Sequence, residues 1–361
     1  MLNESAPLAP IRCIGLLSGG LDSSIAFAHM KRLGFDVVGI NFSTGFCSSD
    51  HLRMMGRTEK KTYRNEALRA GADLDVAVEL IDVAEEYLGA VLAQPKHGFG
   101  QNMNPCVDCR IFMFGKARGL LEEHGARFIF TGEVLGQRPM SQHRFAMRTI
   151  EKESGLEGLV VRPLCGQLLP PTIPEKEGWL RREDLLSISG RSRKEQMRLA
   201  VEYGIDDYPQ PAGGCCVLTD ESYSRRLRDQ LAFVDVRSLT REQCTLLKVG
   251  RHMRLASGVK VIVGRDEKEN EFLQERVGGR WSFQALDYPG PITLAEREPV
   301  DGESSARELT EDDLRTIAAI TARYCDGNNE PEITVWAGRG AEVREIVVAP
   351  AADVIVQRLL I

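Results

Sequence analysis

The run Ser18-Gly19-Gly20-Leu21-Asp22-Ser23-Ser24 constrains this chain more than any other stretch. It follows an apolar segment, Ile11 to Leu17, and precedes residues of helical composition, 21–33, that stop at Gly34. A buried strand that turns through two glycines straight into a helix opens a strand–turn–helix unit. The backbone N–H groups of such a turn and the hydroxyls of Ser18, Ser23 and Ser24 converge on one point, with the positive end of the helix behind them. That arrangement is an oxyanion site suited to a phosphate chain. It is not a Walker loop, because Gly-Lys-Ser/Thr is missing and no lysine stands in the turn.

The following segments repeat the alternation. Residues 35–42 and 74–83 read as β-strands, 52–70 and 84–94 as helical, and 127–130 as a short strand ending in Thr131-Gly132-Glu133. A further helix is expected after Asn104-Pro105. This spacing implies βαβ units and a doubly wound parallel sheet. In such a sheet ligands bind beyond the carboxyl ends of the strands, where the serine-rich turn and Thr131-Gly132 fall. Residues 152–178 carry eight glycines and prolines and read as irregular, and helix returns over 191–203. After Leu239 the pattern shifts to short β-like runs (259–263, 281–285, 332–336, 344–348) with one helix, 311–324, among them.

With 361 residues the chain exceeds one ordinary core, so we expect a domain over residues 1–235 and a smaller α+β domain over 240–361. No apolar run approaches the roughly 20 residues that span a bilayer, and the N-terminus lacks the pattern of a signal peptide. The nine cysteines are odd in number and several neighbour candidate chemistry, which points to a reduced cytoplasm rather than a disulfide framework. The net charge of −6 argues against nucleic acid in general. Local basic faces run against it: residues 110–148 hold seven Arg or Lys against three acidic residues, and Arg53, Arg57, Lys60, Lys61 and Arg64 form a second cluster.

The cysteines divide by context. In Asn104-Pro105-Cys106-Val107-Asp108-Cys109, Cys106 and Cys109 fall at i and i+3 near a helix N-terminus, whose dipole favours thiolates. A second C-x-x-C, the mark of structural zinc, is absent from the chain. Cys215-Cys216, behind Gly213-Gly214, could supply a third thiol. Two chemistries use such a trio: three thiolates holding a [4Fe–4S] cluster with one iron open to sulfide, or a persulfide carrier with a resolving thiol. Cys13 reads as a buried strand residue, and Cys244 and Cys325 as packing residues. Cys47 and Cys165 are minor candidates to reach the site.

In the order SGGLDSS, Asn-Pro with its cysteines, Thr131-Gly132 and AGGCC, residues up to about 228 resemble the pyrophosphate-loop ATPases that thiolate tRNA. The resemblance is to the 2-thiouridylases and 4-thiouridine synthetases. It implies an adenine nucleotide alpha hydrolase-like fold that uses ATP and Mg²⁺. Ser18, Gly19, Gly20, Asp22, Ser23 and Ser24 would hold the phosphates, with Asp22 near the Mg²⁺. Asn41 and Phe42 would lie along the adenosine, and Thr131-Gly132 would close the nucleotide site. Cys109 would be the first sulfur-handling thiol and Cys215 or Cys216 the second. Two departures stand out. Cys106 replaces the aspartate of Asn-Pro-Asp-x-x-Cys, giving the C-x-x-C plus distal cysteine of iron–sulfur-dependent thiolation enzymes. Glu133 replaces the histidine of Thr-Gly-His.

Residues 258–273 resemble the RNA-binding domain of the NFACT proteins, which makes Arg251, Arg254, Lys260, Arg265 and Lys268 candidates to touch a phosphate backbone. The resemblances together imply an ATP-dependent tRNA uridine sulfurtransferase. Its partners would be tRNA and a sulfur donor, such as a cysteine desulfurase or free sulfide. The alternatives are an enzyme that adenylates a small molecule for thiolation or amidation, and a non-catalytic RNA-binding protein switched by ATP.

Overall fold

The computed structural model describes residues 10–47, 65–209, 216–297 and 308–361. The basic cluster from Arg53 to Arg64, Gly213-Gly214 and Cys215 lie outside them. The chain divides into two compact units, residues 1–44 with 62–215 and residues 45–61 with 216–361.

The first unit is built on five parallel strands: β1 (Arg12–Leu16), β2 (Asp36–Ser43), β3 (Val78–Asp82), β4 (Ile129–Thr131) and β5 (Val160–Val161). Their order is β3-β2-β1-β4-β5. The chain runs outward from β1 in one direction and then resumes on its other side at β4, so the topological switch point lies between β1 and β4. Leu16 pairs with Ile40 on one side and Thr131 on the other, so β1 and β4 end level with one another while β2 runs on to Ser43.

Helices cover both faces. Helix α1 (Leu21–Arg32), α2 (Glu66–Asp73) and a helix over Lys194–Tyr203 bury one face through Ile25, Phe27, Ala67, Ala70 and Leu199. Helix α3 (Cys106–Glu123) and α4 (Arg144–Glu153) bury the other through Phe114, Ala117 and Ile150, against Ile14, Ile40 and Phe42. We designate Lys194–Tyr203 as α5. Gly204 ends it at φ +70°, a left-handed cap that glycine adopts without strain. Gly15 is required by packing, since a Cβ there would stand 2.3 Å from the Phe27 ring and 2.4 Å from that of Phe130. Those two rings pack with centroids 4.7 Å apart.

The second unit holds a six-stranded antiparallel sheet in the order β11-β10-β8-β9-β7-β6. Its strands are β6 (Arg251–Arg254), β7 (Lys260–Val263), β8 (Trp281–Ala285), β9 (Thr293–Glu296), β10 (Ile333–Arg339) and β11 (Glu342–Val348). Helix Glu311–Arg323 lays Leu314, Ile317 and Ala318 on one face, beside Phe283 and Val335. The helix Glu221–Leu231, with Tyr223 and Leu227 buried, belongs to this unit. No helix among the described residues is long and apolar enough to cross a membrane.

Candidate nucleotide and thiol site

The serine-rich turn leaves β1 at the switch point. Gly20 caps α1 without any side-chain hydrogen bond, so the first-turn N–H groups have no partner of their own in the helix. Ser18 Oγ lies 3.1 Å from Ser23 Oγ, and the Ser23 and Ser24 hydroxyls donate to the Gly20 carbonyl over 2.9 and 3.1 Å. Gly19 holds φ +76°, and a Cβ there would lie 2.3 Å from the backbone of Glu66. Arg69 fixes the turn from behind. Its guanidinium is buried, donates to the Gly19 carbonyl over 3.0 Å, and is held by Glu66 at 3.0 Å and Asp73 at 2.8 Å. With that carbonyl engaged behind the loop, its N–H groups are left for an anion.

Asp22 stands in the first turn of α1. Gln137 Nε2 donates to Asp22 Oδ2 over 3.1 Å, while the buried Oδ1 has no hydrogen-bond partner. A buried carboxylate oxygen left unpaired beside an anion-binding turn fits a ligand to Mg²⁺. Asn41 Nδ2 donates to the Leu17 carbonyl over 2.7 Å and so ties β2 to the start of the turn. The ring of Phe42 points to the other face of the sheet and is buried there.

Gly132 follows β4 and packs directly on α1. A Cβ on it would lie 2.6 Å from both the Asp22 carbonyl and the Ser23 nitrogen. Thr131 is buried and donates to Glu133 over 3.3 Å. Glu133, 3% exposed, accepts from Arg162 Nε over 3.0 Å, and Arg162 also pairs with Glu151. Burial opposes ionisation of Glu133, but the charges of Arg162 and Arg110 and the hydrogen bonds from Arg162 and Thr131 outweigh it. The carboxyl is therefore held below its usual range.

Arg110 carries the geometry to the thiols. Its Nε lies 3.7 Å from Glu133 Oε1, and it follows Cys109 in α3. The start of α3 is thereby held at the edge where Thr131-Gly132 leaves β4. Pro105 precedes the helix as its cap residue, and Cys106 and Cys109 are half-buried in its first turn. Asp108 accepts from the N–H groups of Lys96 and His97 over 2.9 and 3.0 Å, which holds the preceding loop on the helix start.

Cys216 belongs to the second unit, where it faces Cys47 in an antiparallel bridge. Among the described residues no three His, Cys, Asp or Glu side chains gather into a group that could hold a metal ion. Cys165 is a correction to the minor candidates. It is fully buried, its Sγ donates to the Glu133 carbonyl over 3.3 Å, and burial pushes its thiol up to about 11. Cys13 and Cys244 are buried as expected, with burial pushing both thiols up.

Two of the five basic candidates in the second unit are also corrected. Lys260, 2% exposed, pairs with Asp229 over 2.6 Å, and Arg254 pairs with the same carboxylate over 2.7 Å. Both clamp the helix Glu221–Leu231 to the sheet and have no free charge to offer RNA. Arg251 lies over the Tyr324 ring at 4.6 Å, and Arg265 pairs with Glu269.

Sequence reasoning missed Arg69, Gln137, Arg110 and Arg162. Arg69 stands at helical spacing from Glu66 and Asp73, which reads as a surface ion pair, and no local signal exposes its bond to Gly19.

Residues 11–152 match the family described as tRNA methyl transferase HUP domain, and residues 250–358 match the NFACT protein RNA binding domain. The tRNA-specific 2-thiouridylase MnmA of Petrotoga mobilis is 30% identical over 129 residues, 33% of this chain and 34% of that protein. MnmA of Xanthobacter autotrophicus is 26% identical over 251 residues, 64% of this chain and 58% of that protein. The chain thus spans about a third to three-fifths of the length of these relatives. A crystal structure of a 4-thiouridine synthetase–RNA complex with bound ATP aligns at TM-score 0.34 and 19% identity, covering 65% of this chain and 53% of that one.

Proposed function

We propose, from the premise that this chain joins a HUP domain of the pyrophosphate-loop tRNA-thiolation type to an NFACT-type RNA-binding domain, that it is an ATP-dependent tRNA uridine sulfurtransferase of the cytoplasm. Residues 1–235 would carry the chemistry and residues 240–361 would grip the RNA. The observation that carries the reading is the Arg110–Glu133 contact, which holds the Cys106–Cys109 helix start at the edge of the sheet where the phosphate turn lies.

ATP would adenylate the carbonyl oxygen of the base, turning a poor leaving group into AMP. The turn from Ser18 to Ser24 would stabilise the departing pyrophosphate through its N–H groups, and Asp22 would hold Mg²⁺, which neutralises phosphate charge. Sulfur would then attack that carbon from a cysteine. Cys109 and one of Cys215 and Cys216 are the carriers in this reading, each taking its outer sulfur from the persulfide of a cysteine desulfurase, which leaves as a thiol. The base must leave its stack to reach them. The described residues do not complete a ligand set for a [4Fe–4S] cluster. Anaerobic purification with iron and sulfide assays decides whether Cys215 completes a set with Cys106 and Cys109.

The test is product identity. With ATP, Mg²⁺ and unthiolated tRNA, the protein should form AMP and pyrophosphate in an RNA-dependent manner, and Asp22→Asn should abolish it. Release of ADP and phosphate, or AMP formation indifferent to RNA, would overturn the reading.

A further inference from the structure

Helix α4 joins the parallel strands β4 and β5, so it runs back against them and its N-terminus stands at their carboxyl ends. The loop leading into it carries Gln137, which is bonded to Asp22 over 3.1 Å. The start of α4 therefore borders the edge at which the phosphate turn lies. Along the outer side of the helix, Arg144, Arg148 and Lys152 recur at i, i+4 and i+8, and all three are exposed. With 3.6 residues per turn they fall, together with Phe145, within an arc of about 100°, and they span about 12 Å of the helix axis. None of the three has a hydrogen-bond or ion-pair partner for its side chain among the described residues. The acids of the helix are engaged elsewhere: Glu151 pairs with Arg162, and Glu153 with Lys96 over 2.9 Å and His97 over 3.1 Å. Buried or half-buried arginines of the same unit, such as Arg69 and Arg182, are each held by a carboxylate. The stripe on α4 is not neutralised in that way.

An aromatic platform stands beside these charges. Phe145 is 77% exposed, although it opens a helix whose neighbouring residues Ala146 and Met147 are buried. His143 caps the helix by accepting from the Ala146 N–H over 3.3 Å, and its ring lies parallel to that of Phe145, at 5° with centroids 6.5 Å apart. Exposed planar rings next to unpaired cations are the two parts that hold a single-stranded nucleic acid, by stacking of bases and by contact with phosphates. A duplex offers no free base face to the ring, and an acidic peptide would use the cations and leave the ring in water.

We propose that α4 is an RNA track of the first unit, with phosphates on Arg144, Arg148 and Lys152 and an unpaired base stacked on Phe145. Its service to catalysis rests on the sulfurtransferase reading; the binding of RNA there does not. A strand laid along α4 reaches the carboxyl edge of the sheet at the helix N-terminus. The nucleotide next to the one on Phe145 is then the one presented to the phosphate turn.

The experiment uses the full chain, fluorescence anisotropy across a salt series, and two probes, an unmodified tRNA transcript and a short oligouridylate. Arg144→Gln, Arg148→Gln and Lys152→Gln combined should lower the slope of log affinity against log salt by about 2, since each single-strand phosphate contact carries about 0.7. Phe145→Ala should weaken both probes about tenfold with the slope unchanged, and Phe145→Trp should restore binding. Melting temperature and binding of Mg²⁺·ATP should match the parent in every variant. Slope and affinity unchanged in the triple variant would overturn the track, and so would Phe145→Ala binding as tightly as the parent. In the parent, ultraviolet cross-linking of the oligouridylate followed by peptide mass spectrometry should place an adduct on α4. Adducts confined to residues 250–358 would overturn the proposal. RNA held on α4 with no thionucleoside formed would end the sulfurtransferase reading and leave the track standing.

Discussion

Gln137 and Asp22, 115 residues apart in the chain, meet through a 3.1 Å hydrogen bond beside the switch point of the parallel sheet. The bond occupies one carboxylate oxygen and leaves the other, buried, without a partner. The orientation of that free oxygen is set by a residue of the loop after β4, on the far side of the phosphate turn.

Gln137→Ala should weaken binding of Mg²⁺·ATP by about tenfold, since a hydrogen bond to a charged group contributes about 1.5 kcal/mol. Gln137→Glu should weaken it further by setting a second carboxylate against Asp22. Calorimetric titration checks both, with binding of ATP without metal as the control that should move less.

Gly132→Ala should disturb the nucleotide site although it removes nothing. Its Cβ would meet the Asp22 carbonyl at 2.6 Å, inside any tolerated contact. Displacing the first turn of α1 should lower stability by about 1–3 kcal/mol and reduce ATP binding, read by urea unfolding and the same titration.

Much of this site was legible locally. The glycine–serine turn between an apolar run and a helical run announces β1 and α1, and Asn-Pro before an apolar–polar mixture announces α3. Helix α4 escaped because only Ala146, Met147 and Ile150 of its ten residues are buried, too sparse a stripe to mark a helix against Arg and Lys neighbours. Strand β5 is two residues long inside a stretch dense in glycine and proline, and only its pairing with β4 makes it a strand. The expected strand over 74–83 shortens to Val78–Asp82, because α2 runs to Asp73 and Leu74 and Asp75 form the turn that leaves it. Lys260 is a candidate RNA contact through the resemblance of its segment to the NFACT domain, whereas its partner Asp229 lies 31 residues away. Contacts of that kind depend on tertiary packing and leave no local trace.

The Glu133–Arg162–Glu151 network should make the first unit acid-sensitive. The folded carboxyl of Glu133 is held below its unfolded value, so its contribution is present above the unfolded value, about 4.3, and fades as pH falls through the folded one. Glu133→Gln leaves the buried Arg162 charge with Glu151 as its remaining carboxylate partner and should cost about 3 kcal/mol at neutral pH. Thermal melting from pH 7 to pH 3 should show a flatter acid limb for the variant.

Lys260 titrates with the opposite sign. Burial, opposed by Asp229, lowers its ammonium to about 8 from 10.5. The unfolded chain therefore binds more protons between those values, and stability should rise with pH across that window. Lys260→Met should remove this rise, as measured by denaturant unfolding at pH 8 and pH 10.

The most direct measurement is mass spectrometry of nucleosides from tRNA incubated with the protein, ATP, Mg²⁺ and a sulfur source. The account predicts a uridine in which sulfur has replaced oxygen, formed only with ATP and lost in Cys109→Ser. Formation of AMP and pyrophosphate with no thionucleoside, or thiolation undiminished in Cys109→Ser, would contradict it.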